Sequence, residues 1–138
     1  HWQVESALRE DKVVVREAAI PFGDAIADAT AKLVADTHSR AVLVISNRGM
    51  TAATISAARP AAPVVAISRD ARICRRMSLM WGVLPHLDTK VGKENPNGVA
   101  RRVALELKLA EVGEFVVLVR GFHSNLKFNT PTLTLLAV

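Results

Sequence analysis

Short, uninterrupted apolar runs constrain the possible fold of this chain more than any other feature. Residues 41–45 and 115–119 contain no polar side chain, and residues 64–68 contain one only at the end. Strands of this composition are buried on both faces, as in a parallel sheet covered by helices. A further strand is predicted at 84–87, after Gly82. These runs predict an α/β fold.

Helical segments separate the apolar runs. In the first segment, 22–37, apolar residues recur at spacings of three and four and define one helix face. The residues of this face are Phe22, Ile26, Ala29 and Leu33. Three more helices are predicted at 51–58, 71–81 and 98–111. Asp70 and Asn97 are expected to cap the last two. Helices that alternate with buried strands indicate right-handed crossovers and helices on both faces of the sheet.

The end of the chain departs from this alternation. Between the runs at 115–119 and 132–138 there is a loop too short for a crossover helix. Hairpin geometry then makes the last strand antiparallel to its neighbour. The predicted architecture is a three-layer αβα sandwich, with a mostly parallel sheet of about five strands and an antiparallel last strand.

Length and charge limit the domain count and the partners. The 138 residues fit one domain. We place it at 18–138, with 1–17 as an N-terminal linker or leading segment. The net charge of +5 favours acidic partners such as nucleic acid, an anionic surface or a phosphorylated metabolite. No apolar run approaches the roughly 20 residues of a membrane span, so we expect no membrane partner. A single cysteine, Cys74, fits a reducing, cytoplasmic compartment.

The loop after the first buried strand carries groups that suit an anion. Residues 46–51, SNRGMT, follow the carboxyl end of a strand, where α/β sheets bind ligands. They also precede a helix, whose amino end attracts negative charge. Ser46 and Thr51 offer hydroxyl donors, and Arg48 offers positive charge. The alternative interpretation is that the hydroxyls cap the helix and Gly49 only permits the turn. No nucleotide-binding fingerprint is present.

Catalytic and metal-binding sets are not evident in the sequence. The histidines are scattered, and none has a metal-ligand spacing with Cys74 or a carboxylate. Arg72, Arg75 and Arg76 form a basic stripe on a predicted helix. We interpret this stripe as a solvated face or a subunit contact, with nucleic-acid binding as the less favoured alternative.

Several motifs stand in an order that carries a family resemblance. A strand and the loop SNRGMT lead into a helix that ends in RP at 59–60. PVVAISRD follows at 63–70, WGVLP at 81–85, and the chain ends with GEFVVLVRG and FNTPTLTLLAV. From about residue 18 to the end, this order resembles the C-terminal domain of pyruvate kinase.

The resemblance implies a regulatory and oligomerisation domain. In the family, the first loop holds a phosphate of an allosteric sugar phosphate. The implied phosphate-binding residues are Ser46, Asn47, Arg48, Gly49, Met50 and Thr51, with Lys127 from the loop at 121–130. Arg48 and Met50 depart from the family pattern, which leaves fructose 1,6-bisphosphate, a sugar monophosphate, another small anion or no effector open. The family pairs its domains near the last strand, which implies a homo-oligomer interface with Leu133, Leu135 and Val138.

The resemblance also implies that catalysis lies elsewhere. Pyruvate kinase converts phosphoenolpyruvate and ADP to pyruvate and ATP in glycolysis, with Mg²⁺ and K⁺, in a barrel domain. A barrel of about 250 residues does not fit into this chain. We therefore expect a non-catalytic domain without its own cofactor, either a partner of the catalytic barrel or a free-standing relative. The alternative is a stand-alone small α/β phosphate- or nucleotide-binding protein or enzyme.

Overall fold

The computed structural model describes residues 22–46, 49–123 and 125–138, so the predicted segment 1–17 lies outside the described residues. The helices are α1 (Gly23–Thr37), α2 (Met50–Ala57), α3 (Ala71–Met77) and α4 (Pro96–Glu106). The strands are β1 (Val42–Ile45), β2 (Val64–Ser68), β3 (Val83–Leu87), β4 (Phe115–Arg120) and β5 (Thr132–Ala137). A 3₁₀ turn, Leu126–Phe128, precedes β5.

The five strands form one mixed sheet in the order β3-β2-β1-β4-β5. The pairs β1–β2, β1–β4 and β2–β3 are parallel. β5 pairs antiparallel with β4, with Phe115 opposite Ala137 and Arg120 opposite Thr132. The predicted α/β fold class is confirmed, including the antiparallel last strand.

Each face of the sheet has its own apolar core. Val42 and Val44 of β1 face the side covered by α1, α2 and α3, where Ile55 and Met77 are fully buried. Leu43 faces the opposite side and packs in the cluster that contains residues of α4. This alternation along one strand explains the three layers, because a continuously apolar strand needs cover on both faces.

The buried face of α1 differs from the predicted one. Its buried residues are Gly23, Ala27, Thr30 and Val34. The predicted face was wrong by one position: Phe22 is 71% exposed, and Ile26 and Leu33 pack only at the margin of the core. Small side chains allow close helix packing, and the Thr30 hydroxyl donates a hydrogen bond to the Ile26 carbonyl at 2.7 Å. Its polar group is therefore satisfied inside the core.

Two helices are shorter or shifted relative to the predicted bounds. α3 ends at Met77 instead of residue 81, and α4 begins at Pro96 instead of residue 98. The predicted cap Asp70 is confirmed, since its carboxylate accepts from the Arg72 amide at 2.8 Å. The N-cap of α4 is Asn95, not Asn97, because proline favours the first helical position.

Candidate functional site

A cavity of about 240 Å³ lies at the carboxyl edge of the sheet. The adjacent parallel strands β1 and β4 end there, and the loop between β3 and α4 contributes another wall. The polar side chains that line it are Ser46, Thr51, Glu94 and Arg120, and the large apolar ones are Ile45, Val91, Val99 and Phe122. The position agrees with the general location of ligand sites in α/β sheets.

The loop between β1 and α2 brings a helix amino end to the cavity. The Gly49 amide donates to the Ser46 hydroxyl oxygen at 2.8 Å, and the Ser46 amide donates to the Ile67 carbonyl at 3.1 Å. Gly49, the N-cap of α2, has a φ of 84° and gives no side-chain capping bond. Thr51 is buried in the first turn of this helix. A ligand oxygen at the cavity can therefore meet two hydroxyls and the positive end of the helix dipole.

Arg120 adds a cation that sequence reasoning missed. It is the last residue of β4, and its Nε atom is buried without a hydrogen-bond partner among the described residues. A buried donor left unpaired is costly. Arg120 also lines the cavity, so it brings positive charge to an anionic ligand there. The sequence signal was available: a basic residue ends a buried apolar strand directly before a glycine, at the edge where ligands bind.

Gly121 shapes the neighbouring loop. Its φ is 89°, and its carbonyl accepts from the Thr130 amide at 2.9 Å, which closes the loop 121–130. A Cβ at this position would collide with the Thr130 carbonyl. The tight closure requires glycine and keeps the end of β4 beside the cavity.

The loop between β3 and α4 is fixed by ion pairs. Arg102 Nη1 lies 2.7 Å from Asp88 Oδ2, and Arg102 Nη2 lies 3.0 Å from Glu94 Oε2. The hydrogen bond from Arg102 lowers the pKa of Asp88, although burial of that carboxyl opposes the shift. The same bonds raise the pKa of Arg102. Glu94 is thus held at the cavity wall by a residue of α4.

The structure brings together only some of the predicted phosphate-binding residues. Ser46 and Thr51 line the cavity, whereas Gly49 and Met50 lie at the start of α2 outside its lining. Asn47 and Arg48 lie outside the described residues. Lys127 belongs to the 3₁₀ turn and does not line the cavity; its Nζ atom lies 6.0 Å from the centroid of the Phe128 ring. Phosphate binding by this set stays a prediction.

The predicted interface residues lie on or directly after the edge strand β5. Among the strands of the described residues, β4 is the only one that pairs with β5. Leu135 is 41% exposed, and Phe115 on β4 is 40% exposed. Leu133 and Val138 are partly buried at the margins of the two cores. An interface through these residues stays a prediction.

Other kinds of site find little support in the described ranges. No group of three or more His, Cys, Asp or Glu side chains in 22–46, 49–123 and 125–138 is placed to hold a metal ion. Among the helices described, none is long and apolar enough to cross a membrane. Cys74 is half-buried, and burial raises the pKa of its thiol, which disfavours the reactive thiolate.

Comparison with known families identifies relatives over most of the described chain. The profile of the family described as "Pyruvate kinase, alpha/beta domain" matches residues 24–136. The pyruvate kinase of Clostridium acetobutylicum is 31% identical over 111 residues, which cover 80% of this chain and 24% of that protein. A pyruvate kinase of Agrobacterium vitis is 33% identical over 99 residues, covering 71% of this chain and 20% of that protein.

Solved structures share the fold. The structure of Cryptosporidium parvum pyruvate kinase in complex with ADP matches with a TM-score of 0.69 and 21% sequence identity, and the match covers 86% of this chain and 24% of that chain. The chain therefore spans about a quarter of the length of the relatives that it matches.

Proposed function

Because the chain belongs to the pyruvate kinase family, as its alpha/beta domain, we propose that it is a regulatory and oligomerisation domain of a pyruvate kinase. The parent enzyme would convert phosphoenolpyruvate and ADP to pyruvate and ATP, with Mg²⁺ and K⁺ bound outside this domain, in the cytoplasm. The observation that carries the proposal is the cavity where Ser46, Thr51 and Arg120 converge.

The regulatory ligand in this proposal is a phosphorylated metabolite. Phosphate oxygens accept several hydrogen bonds, and the cavity offers hydroxyls, the amino end of α2 and the positive charge of Arg120. Asn47, Arg48 and Lys127 remain candidates for further contacts. The proposal thus adds one residue, Arg120, to the predicted set of phosphate-binding residues.

Titration with inorganic phosphate tests the site. We expect the backbone amide signals of residues 49–52 to shift at millimolar phosphate in NMR spectra. Thr51→Ala removes one donor to a charged acceptor, so binding should weaken about tenfold, or about 1.4 kcal/mol. Thr54→Ala is the matched control, because the Thr54 hydroxyl donates to the Met50 carbonyl on the same helix and does not line the cavity. Unmoved amides at saturating phosphate contradict the site.

The oligomerisation role is supported by the exposed edge of the sheet. Residues 133–138, LTLLAV, contain no lysine, glutamate or proline that would block pairing with another chain. Antiparallel pairing of β5 with its copy would give a two-fold interface that includes Leu133, Leu135 and Val138. Cover of this edge by residues 1–21 of the same chain is the competing arrangement.

Sedimentation distinguishes these arrangements. We expect the native chain to associate at micromolar concentration and Leu135→Lys to remain monomeric. Leu126→Lys is the control, since Leu126 is 66% exposed in the 3₁₀ turn and lies outside β5. If the native chain and Leu135→Lys both sediment as monomers at high micromolar concentration, the interface is wrong.

A further inference from the structure

We propose that Glu94 makes the cavity selective for ligands that carry one phosphate and several hydroxyl groups, over ligands with a phosphate at both ends. The inference rests on the proposed phosphate binding. Its first observation is the distribution of charge around the cavity. Arg120 and the amino end of α2 are positive and Glu94 is negative, and all three line the same cavity.

The carboxylate of Glu94 is incompletely neutralised. Its Oε2 atom accepts from Arg102 Nη2 at 3.0 Å and from Nε at 3.3 Å. Arg102 also contacts Asp88 at 2.7 Å and Glu106 at 3.4 Å. One guanidinium thus faces three carboxylates, so these four side chains together keep a net negative charge.

The position of Glu94 is built into helix α4. Arg102 holds one carboxylate oxygen, and Gly98 leaves room for the other. A Cβ at residue 98 would lie 3.1 Å from Glu94 Oε1, closer than side chains usually approach. Two residues of α4 therefore accommodate the carboxylate: Arg102 by hydrogen bonds to Oε2 and Gly98 by the space beside Oε1.

This charge selects among phosphorylated ligands. Glu94 lines the same cavity of about 240 Å³ as Ser46, Thr51 and Arg120. With one phosphate at Ser46, Thr51 and Arg120, the other end approaches Glu94. Sugar hydroxyls can donate hydrogen bonds to its carboxylate, whereas a second phosphate meets charge repulsion.

Calorimetric titration of the full chain with three probes tests the selectivity. The probes are inorganic phosphate, glucose 6-phosphate and fructose 1,6-bisphosphate. We expect glucose 6-phosphate to bind at least tenfold more tightly than fructose 1,6-bisphosphate. Glu94→Gln keeps the shape and an acceptor for Arg102 but removes the charge, so this ratio should fall at least fivefold. Glu106→Gln, which loses another carboxylate on Arg102 outside the cavity, should leave the ratio unchanged.

The outcomes separate this inference from the proposed function. Tighter binding of the bisphosphate to the native chain overturns the selectivity without any variant. If the ratio of the affinities for glucose 6-phosphate and fructose 1,6-bisphosphate is the same in the native chain and in Glu94→Gln, the role of Glu94 is overturned, even when phosphate binds. Absence of inorganic phosphate binding to the native chain overturns the proposed site, and the selectivity fails with it.

Discussion

Two of the loops that line the cavity reach their conformations through different forces. The loop before α2 depends on backbone geometry: Gly49 has a positive φ, and its amide donates to the Ser46 hydroxyl. The loop before α4 depends on charges, because Arg102 joins Asp88 and Glu94. One wall of the same site is therefore set by steric fit and the other by electrostatics. Substitutions and pH should affect the two walls differently.

The largest effect on stability is expected when the loop before α4 loses the positive charge of Arg102. Arg102→Met leaves the Asp88 carboxylate, whose side chain is 5% exposed, without its ionic partner. Removal of one member of a buried pair should lower the free energy of unfolding by about 3 kcal/mol in urea denaturation. Arg101→Met is the control, since Arg101 is exposed and, within the described residues, donates to the Ala137 carbonyl. An equal loss in both variants would contradict the electrostatic account of this loop.

A smaller effect is expected in the loop set by backbone geometry. Gly49→Ala forces a side chain into a left-handed conformation and places its Cβ 2.9 Å from Met77 Cγ. We expect a loss of about 2 kcal/mol in the free energy of unfolding. Gly113→Ala is the control, because Gly113 also has a positive φ, 93°, but no atom lies within 4 Å of the added Cβ. Its free energy of unfolding should fall by only about 1 kcal/mol. Equal losses would show that contact with Met77 is unimportant.

The sheet could be predicted from sequence because its signal is local. The runs at 42–45 and 115–119 are apolar at every position, so no choice of buried face was needed. The inward face of α1 could not be predicted the same way. Gly23 and Thr30 contribute little to an apolar pattern, yet the fold buries them, because close packing and a satisfied hydroxyl decide the face.

The site could be predicted only where position in the fold determines it. Ser46 and Thr51 follow a buried strand, so the topology alone places them at the ligand edge. The proposed role of Glu94 depends on Arg102, eight residues away, and on the space at Gly98. Such a relation arises from tertiary packing and has no spacing signature in the sequence.

A modest effect is expected from the hydrogen bond that shapes the first loop. Ser46→Ala leaves the buried Gly49 amide without its acceptor, which should cost about 1 kcal/mol in the free energy of unfolding. Ser78→Ala, which removes an exposed hydroxyl bonded to the Arg75 carbonyl, should change stability by less than about 0.5 kcal/mol. Thermal denaturation of both variants measures the difference. An unaffected Ser46→Ala would show that Gly49 alone sets this turn.

The smallest expected effect is the pH response of the charged loop. The hydrogen bond from Arg102 is the largest cause of the lowered pKa of Asp88, and the Lys90 amide and the charge of His86 contribute as well. A carboxyl whose folded pKa is depressed stabilises the fold fully above its unfolded pKa of about 3.9, and this contribution is lost as the pH falls through the folded pKa. The native chain should therefore exceed Asp88→Asn in stability by a constant margin above about pH 5, and the margin should narrow below about pH 4. The change is small near pH 4, because only part of the unfolded population is then protonated at Asp88.

In the Arg102→Met background the stability margin over Asp88→Asn should be smaller. This margin should not decline in the same pH range, since the main cause of the lowered Asp88 pKa is absent. Urea denaturation of the four proteins between pH 3 and pH 7 measures both margins, and equal pH profiles with and without Arg102 would contradict its control of the Asp88 carboxylate.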